Sequence, residues 1–172
     1  MWALRGTVGL GMETLLDRWL ARSLESYSKE TVRFLGAEKD SFRNPVGHTL
    51  RENLAILLDQ VLGRQAPDGF DADAARAALA NILRIRAVQE LTPSQAVEFV
   101  FQLRPLLHER PAQANSEVFD ARIDRLALWA FEEYTRCRER IADIRISESR
   151  RSMAFAAQRG RHESADKTGL ER

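Results

Sequence analysis

Two proline-containing turns constrain the fold of this chain more than any other feature of its sequence. Asn44 precedes Pro45, and Thr92 precedes Pro93. Asn and Thr side chains cap helix N-termini, and proline suits the first helical position because no backbone N–H is needed there. Thr92 also lies three residues before Gln95, which is the spacing of a capping box. We therefore predict that helices begin at Pro45 and at Pro93.

Apolar residues recur at helical spacing along most of the sequence, without the alternation that is typical of strands. Gly63 is placed to end one of the resulting helices, and Pro105 is expected to bend or divide another. The pattern predicts an all-α fold, a compact bundle of about six helices. They are expected at about residues 13–27, 28–36, 45–62, 71–88, 92–110 and 115–144. The second would turn Thr31, Val32 and Leu35 inward.

Length and composition favour a single helical domain. The chain has 172 residues, of which 44% are hydrophobic, enough for one continuous core. We expect a loose glycine-containing lead-in over residues 1–12, the helical domain over residues 13–150, and a flexible polar tail over residues 151–172.

Charge and cysteine content narrow the range of partners and compartments. Lys and Arg total 26 against 25 acidic residues, so the formal net charge is only +1. A charge this small does not attract nucleic acid electrostatically, and no nucleic-acid partner is expected. No apolar stretch reaches the ~20 residues of a membrane-spanning helix, so direct membrane insertion is not expected either. Cys137 is the only cysteine, which excludes an internal disulfide and favours the cytoplasm.

The last predicted helix is the longest and carries an apolar stripe over about seven turns. The stripe consists of Phe119, Ile123, Leu126, Ala130, Tyr134, Cys137, Ile141 and Ile144. The opposite, solvated face carries Arg122, Asp124, Arg125, Glu132, Arg136, Glu139 and Asp143. Part of the stripe must close the core of one copy, so its distal end is the candidate contact for a second copy. A regular coiled coil would need a stricter heptad than these spacings provide. The candidate dimer contact consists of Cys137, Ile141 and Ile144.

Three polar residues interrupt an otherwise apolar region of the fourth predicted helix. Arg84, Arg86 and Gln89 lie beside apolar positions that include Ile82, Ile85 and Val88. They are candidates for a buried polar network or for contact with an anionic ligand, and the network is favoured. Residues two positions apart do not share a helix face, so at most one of the two arginines is expected to point into the core.

No catalytic or metal-binding constellation is recognisable. His48 and Glu52 have helical i, i+4 spacing, but no second histidine pair completes a metal site. His108 stands alone as a conceivable haem ligand, and Cys137 lies on an apolar stripe without a catalytic partner. We expect neither enzymatic activity, nor a metal, nor a cofactor.

The two proline-containing motifs, taken together with the helix pattern, resemble the N-terminal domain of RsbRD-type RsbT co-antagonist proteins of the bacterial stressosome. The resemblance covers about residues 15–144 and rests on Asp40-x-Phe-x-Asn-Pro-Val-Gly47 and on Ile85-Arg-Ala-Val-Gln89 followed by Pro93-Ser-Gln-Ala-Val97. Candidate structural or partner-contact residues are Phe42, Asn44, Pro45, Val46, Gly47, Arg84, Arg86, Gln89, Thr92, Pro93, Ser94 and Gln95.

This resemblance implies a non-haem, globin-like sensory or protein-interaction module that dimerises through a long terminal helix. In such co-antagonists a STAS domain follows the helical module. We expect none in this chain, so we do not expect it to antagonise the switch kinase. We expect a regulatory homodimer or a hetero-complex with a regulatory protein. The alternative is a constitutive adaptor or accessory subunit of another assembly, including a respiratory or metabolic complex. The sequence identifies neither the signal nor a small-molecule ligand.

Overall fold

The described part of the chain is entirely helical apart from its turns. The computed structural model describes residues 3–25, 27, 44–63, 70–89, 91–109 and 116–169, which form six helices and no strand. The all-α prediction is therefore confirmed. The helices are α1 (Ala3–Leu24), α2 (Pro45–Leu62), α3 (Ala72–Ala87), α4 (Pro93–Phe101), α5 (Leu103–His108) and α6 (Ser116–Gly169). The predicted helix over residues 28–36, with Thr31, Val32 and Leu35, and the motif residue Phe42 lie outside the described residues.

Helix α2 begins and ends as its sequence predicts. The side chain of Asn44 accepts a 2.8 Å hydrogen bond from the backbone N–H of Gly47, and Pro45 is the first helical residue. At the other end, Gly63 has φ of 72°, the left-handed conformation that glycine adopts without steric cost. Both ends of α2 are thus set by local chemistry.

Helices α3 and α4 also have side-chain caps. Asp71 accepts bonds of 3.0 Å from the N–H groups of Asp73 and Ala74. At α4, the hydroxyl of Thr92 accepts from the N–H of Gln95 at 3.3 Å, and the Gln95 side chain accepts from the N–H of Thr92 at 2.9 Å. The predicted capping box is confirmed.

Pro105 divides the predicted fifth helix one turn before the proline itself. Helix α4 ends at Phe101, and α5 begins at Leu103 after a break at Gln102. In an unbroken helix Pro105 could not donate to the carbonyl of Phe101, and its ring would clash with that carbonyl. The break removes this conflict, because Pro105 then lies in the first turn of α5, where no intrahelical donor is required.

The outermost helix boundaries differ from the prediction. Helix α1 begins at Ala3 instead of residue 13, and α6 continues to Gly169 through the predicted polar tail. Neither extension contains a proline, and an interior glycine costs only about 1 kcal/mol relative to alanine. The glycines were therefore weaker stop signals than we expected.

The chain divides into two compact units, Met1–Thr135 and Arg136–Arg172. In the first unit, α2 packs along α3, and α1 contacts α2, α4 and α5. Its fully buried side chains include Trp19, Leu57, Leu83, Phe99 and Leu106. Val88, which we predicted on the apolar side of α3, is instead 68% exposed, because the helix has ended at Ala87. No helix in the described ranges is both long and apolar enough to cross a membrane.

Candidate functional site

Arg86 occupies the most unusual position in the first unit, since its charged side chain is only 1% exposed. Its Nη1 donates to the carbonyl oxygen of Ser23, near the C-terminus of α1, and its Nη2 donates to that of Gln95, in the first turn of α4; both bonds are 3.0 Å. The residues come from three helices. A single guanidinium group from α3 therefore connects α1 to α4.

Aromatic side chains enclose this guanidinium group. The Arg86 Cζ atom lies 5.0 Å from the ring centroid of Tyr27 and 5.1 Å from that of Phe99, within the range of cation–π attraction. The indole N–H of Trp19 donates to the carbonyl oxygen of Phe99 at 2.6 Å, and the hydroxyl of Ser23 donates to that of Trp19 at 2.8 Å. We refer to Trp19, Ser23, Tyr27, Arg86 and Phe99 as the Arg86 cluster.

Burial dominates the electrostatics of the Arg86 cluster. Burial lowers the pKa of Arg86, and this effect is partly offset by Tyr27 and by the carboxylate of Glu98. Burial likewise raises the pKa of Tyr27, with a partial offset from the positive charge of Arg86. Among the described residues, no hydrogen bond of normal geometry reaches two buried polar atoms of the cluster, Nε of Arg86 and the hydroxyl oxygen of Tyr27. Burial thus opposes the ionised form of both side chains.

The three polar residues at the C-terminal end of α3 differ in burial, as their spacing requires. Arg84 is exposed, Arg86 is buried, and Gln89, just beyond the helix, is half-buried. Residues two positions apart on a helix point about 200° away from each other. Only one of Arg84 and Arg86 can therefore reach the core. The structure therefore places Arg86, and not Arg84, in a buried network. A contact with an anionic ligand stays a prediction.

The two capping motifs present different surfaces. Asn44 and Gly47 are buried, Val46 is half-buried, and Pro45 is exposed. By contrast, the other motif is exposed throughout, and it consists of Thr92, Pro93, Ser94 and Gln95. Both motifs shape helix starts, and their role in partner contact stays a prediction.

The histidines considered as ligands lie at the surface, each beside a carboxylate. Nε2 of His48 is 3.0 Å from a carboxylate oxygen of Glu52, and Nε2 of His108 is 3.2 Å from one of Asp120. Arg104 joins the second group through Asp120 at 3.1 Å and through Asp124. Among the side chains that the structure describes, no group of three or more His, Cys, Asp or Glu residues is placed to hold a metal ion.

Arginines of α6 and α3 take part in packing contacts that the charge pattern of the sequence did not predict. Arg122, assigned to the solvated face, donates to the carbonyl oxygen of Val61 at 2.8 Å and so caps the C-terminal turn of α2. Arg76 lies over the ring of Trp129 at 4.2 Å, and Trp129 contacts Phe70 at 5.9 Å between ring centroids. Alternating charge along a helix does not show which arginines stack on aromatic rings.

An apolar groove lies between α4 and the first part of α6. Its volume is about 420 Å³, and its lining residues are Val97, Phe101, Asp124, Ala127, Leu128 and Phe131. Three of these side chains are unusually exposed for large apolar residues: Phe101 at 47%, Leu128 at 68% and Phe131 at 57%. We call this feature the α4–α6 groove, and sequence analysis did not identify it.

The residues predicted to form a dimer contact belong to the second unit. Cys137 is buried and Ile141 is half-buried, whereas Ile144 is 52% exposed. A dimer contact at these three residues stays a prediction, to which Ile144 contributes the most accessible surface.

Comparison with known proteins identifies a family for this chain. A family model described as the RsbT co-antagonist protein rsbRD N-terminal domain matches residues 13–149, which span helices α2 to α5 and parts of α1 and α6. No curated protein and no solved structure matches the chain. The matched family is a stressosome-related regulatory family. Because the match covers most of the sequence, the chain belongs to the family of rsbRD N-terminal domains.

Proposed function

We propose that this chain is a non-enzymatic regulatory module that acts through association with other protein chains, in the first place as a homodimer in the cytoplasm. The observation that supports association is the exposed apolar surface of the α4–α6 groove. Phe101, Leu128 and Phe131 are each about half exposed or more. Contiguous exposed apolar side chains are typical of protein–protein interaction sites. Membership of a stressosome-related regulatory family supports the regulatory part of the proposal.

The Arg86 cluster supports a module with one well-defined packing of its helices. The two hydrogen bonds of Arg86 can form together only when α1, α3 and α4 are correctly placed, since they join all three helices. A regulatory module needs such defined states, because a signal can act only by favouring one state over another. The nature of that signal is outside the proposal.

Sedimentation velocity of the purified chain, over a concentration series up to high micromolar, tests the homodimer. We expect the weight-average sedimentation coefficient to rise with concentration toward that of a dimer. Material recovered from native cells should contain a regulatory protein as a partner. A chain that stays monomeric across the series contradicts the homodimer and favours the adaptor alternative, in which a different protein covers the groove.

A further inference from the structure

Another pocket lies beside the first turns of α6, and it shares no lining residue with the α4–α6 groove. Its volume is about 420 Å³, within the range of roughly 300–1,000 Å³ that is typical of small-molecule sites. All of its lining residues belong to the first unit. We call it the Phe70 pocket, and it is lined by Phe70, Glu117, Val118, Ala121, Arg122 and Arg125.

Two arginines of α6 converge on one aromatic ring in this pocket. The Cζ atoms of Arg122 and Arg125 lie 5.9 Å and 5.7 Å from the ring centroid of Phe70. The arginines are three positions apart on the helix, and like charges at this spacing repel each other. Glu117 lines the pocket, but among the residues that the structure describes no carboxylate forms an ion pair with either arginine. The pocket therefore contains two cations without a described counterion.

Hydrogen bonds hold the ring and one of the guanidinium groups in place. Arg122 is fixed by its bond to the carbonyl oxygen of Val61. The backbone N–H of Asp71, next to Phe70, donates to the side chain of Gln60 at 2.6 Å, and Gln60 is only 1% exposed. The pocket is thus formed by groups that the fold itself positions, as is usual for ligand sites.

The two arginines differ in what the fold requires of them. Capping of α2 accounts for Arg122, because its side chain satisfies carbonyl groups at the end of that helix. Arg125 is exposed, and within the described part of the chain its charge meets only the ring of Phe70. The planar guanidinium group of Arg125 is therefore available to donate to both oxygens of a carboxylate.

We propose that the Phe70 pocket binds a small aromatic monocarboxylate. The carboxylate lies between the guanidinium groups of Arg122 and Arg125, and the aromatic ring of the ligand packs against Phe70 and Val118. The side chain of Val118 is 47% exposed, so this contact removes apolar surface from water. Two arginines against one glutamate leave the pocket with a formal charge of +1, which suits a monoanion. The inference goes beyond the proposed function and does not depend on the homodimer.

Isothermal titration calorimetry of the full chain with 2-naphthoate tests the pocket. We expect saturable binding with a dissociation constant below about 1 mM. Acetate, which lacks the ring, and 2-naphthamide, which lacks the charge, should each bind about tenfold or more weakly, because each loses one half of the contact. A weaker dissociation constant for 2-naphthoate on folded wild-type protein would overturn the proposal. Equal affinity for 2-naphthoate and 2-naphthamide would overturn the recognition of a carboxylate by the arginines.

Variants then locate the binding of 2-naphthoate. Arg125→Gln should weaken it by about tenfold or more, because a charge-assisted hydrogen bond is lost. Phe70→Leu should weaken it several-fold through the loss of ring contact. Arg84→Gln is the matched control, since Arg84 is exposed on α3 and does not line the pocket. Circular dichroism verifies that each variant is folded. If Arg125→Gln binds 2-naphthoate as tightly as Arg84→Gln does, the Phe70 pocket is not the binding site.

Discussion

Replacing Arg86 tests how the first unit holds its buried polar groups. Its guanidinium supplies a donor to the Ser23 carbonyl, which lies in the last turn of α1, where carbonyls have no helical donor. Arg86→Ala removes the donor that the described residues supply to this carbonyl, at a cost of about 1–3 kcal/mol. The Gln95 carbonyl is less affected, because its position in the first turn of α4 allows an intrahelical donor, so losing Arg86 there costs about 1 kcal/mol.

Two further effects of Arg86→Ala change the free energy of unfolding in opposite directions. The variant loses the contacts of the guanidinium with the rings of Tyr27 and Phe99, each worth on the order of 1 kcal/mol. It also no longer has to bury a positive charge, and this gain offsets part of the loss. We therefore expect Arg86→Ala to lower the free energy of unfolding by about 3 kcal/mol, a large fraction of the roughly 5–15 kcal/mol of a typical domain.

Urea denaturation followed by circular dichroism measures this change. Arg86→Lys should fall between wild type and Arg86→Ala, because lysine keeps the charge but cannot present two donors in the same fixed plane. Arg84→Ala is the matched control on the same helix, and its exposed position predicts a change within about 0.5 kcal/mol. If Arg86→Ala is as stable as the control, the hydrogen bonds to Ser23 and Gln95 do not contribute as argued.

Further predictions concern titration, helix caps and cofactors. The pKa of Tyr27 is raised in the folded protein above its ordinary value of 10.0, so the resulting stability is present below pH 10.0 and is lost as the pH rises through the pKa of the folded state. Tyr27→Phe should therefore reduce the loss of stability at alkaline pH in denaturant titrations. Equal alkaline profiles for Tyr27→Phe and the wild type would contradict the argument. Asn44→Ala and Thr92→Ala should each cost about 1 kcal/mol in urea denaturation, whereas Asn44→Asp should retain the cap; unchanged stability in both alanine variants would reject the capping role. Protein purified from cells supplied with haem and metals should show no haem in its absorbance spectrum and no metal in elemental analysis. A stoichiometric amount of haem or metal would refute the expectation that the protein needs no cofactor.

Helix starts were predictable from sequence because their determinants lie within a few residues. Asn44 and Thr92 accept bonds from N–H groups three positions ahead, and Gly63 ends α2 through its own backbone conformation. The start of α1 was not predictable in this way, since glycines weaken a helix without stopping it. Proline was the stronger signal, because its steric conflict with the preceding turn fixes the break between α4 and α5.

The partners within the site could not be predicted from local sequence. Arg86 stood out as a polar residue in an apolar region, but its acceptor Ser23 is 63 positions away along the chain. Only the packing of α1 against the other helices brings them together. The α4–α6 groove was missed for a related reason. Leu128 and Phe131 fall outside the predicted apolar stripe of the last helix, and sequence does not show whether another helix covers such residues.

Helix α4 is shared by the Arg86 cluster and the α4–α6 groove. Gln95 and Phe99 contact Arg86, while Val97 and Phe101 line the groove. A helix of nine residues is too short to deform independently at its two faces, so a shift on one side moves the other. A change at Arg86 is therefore expected to alter the α4–α6 groove.

A double-mutant cycle on the dimer dissociation constant measures this coupling. The cycle combines Arg86→Lys with Leu128→Glu, and a parallel cycle with Arg84→Lys serves as the control. We expect a coupling free energy on the order of 1 kcal/mol for Arg86, compared with additivity within about 0.3–0.5 kcal/mol for Arg84. Additive behaviour in both cycles would show that α4 does not transmit changes from the core to the groove. The Arg86 cluster would then contribute to stability alone, and any regulation of association would have to act on the surface of the dimer.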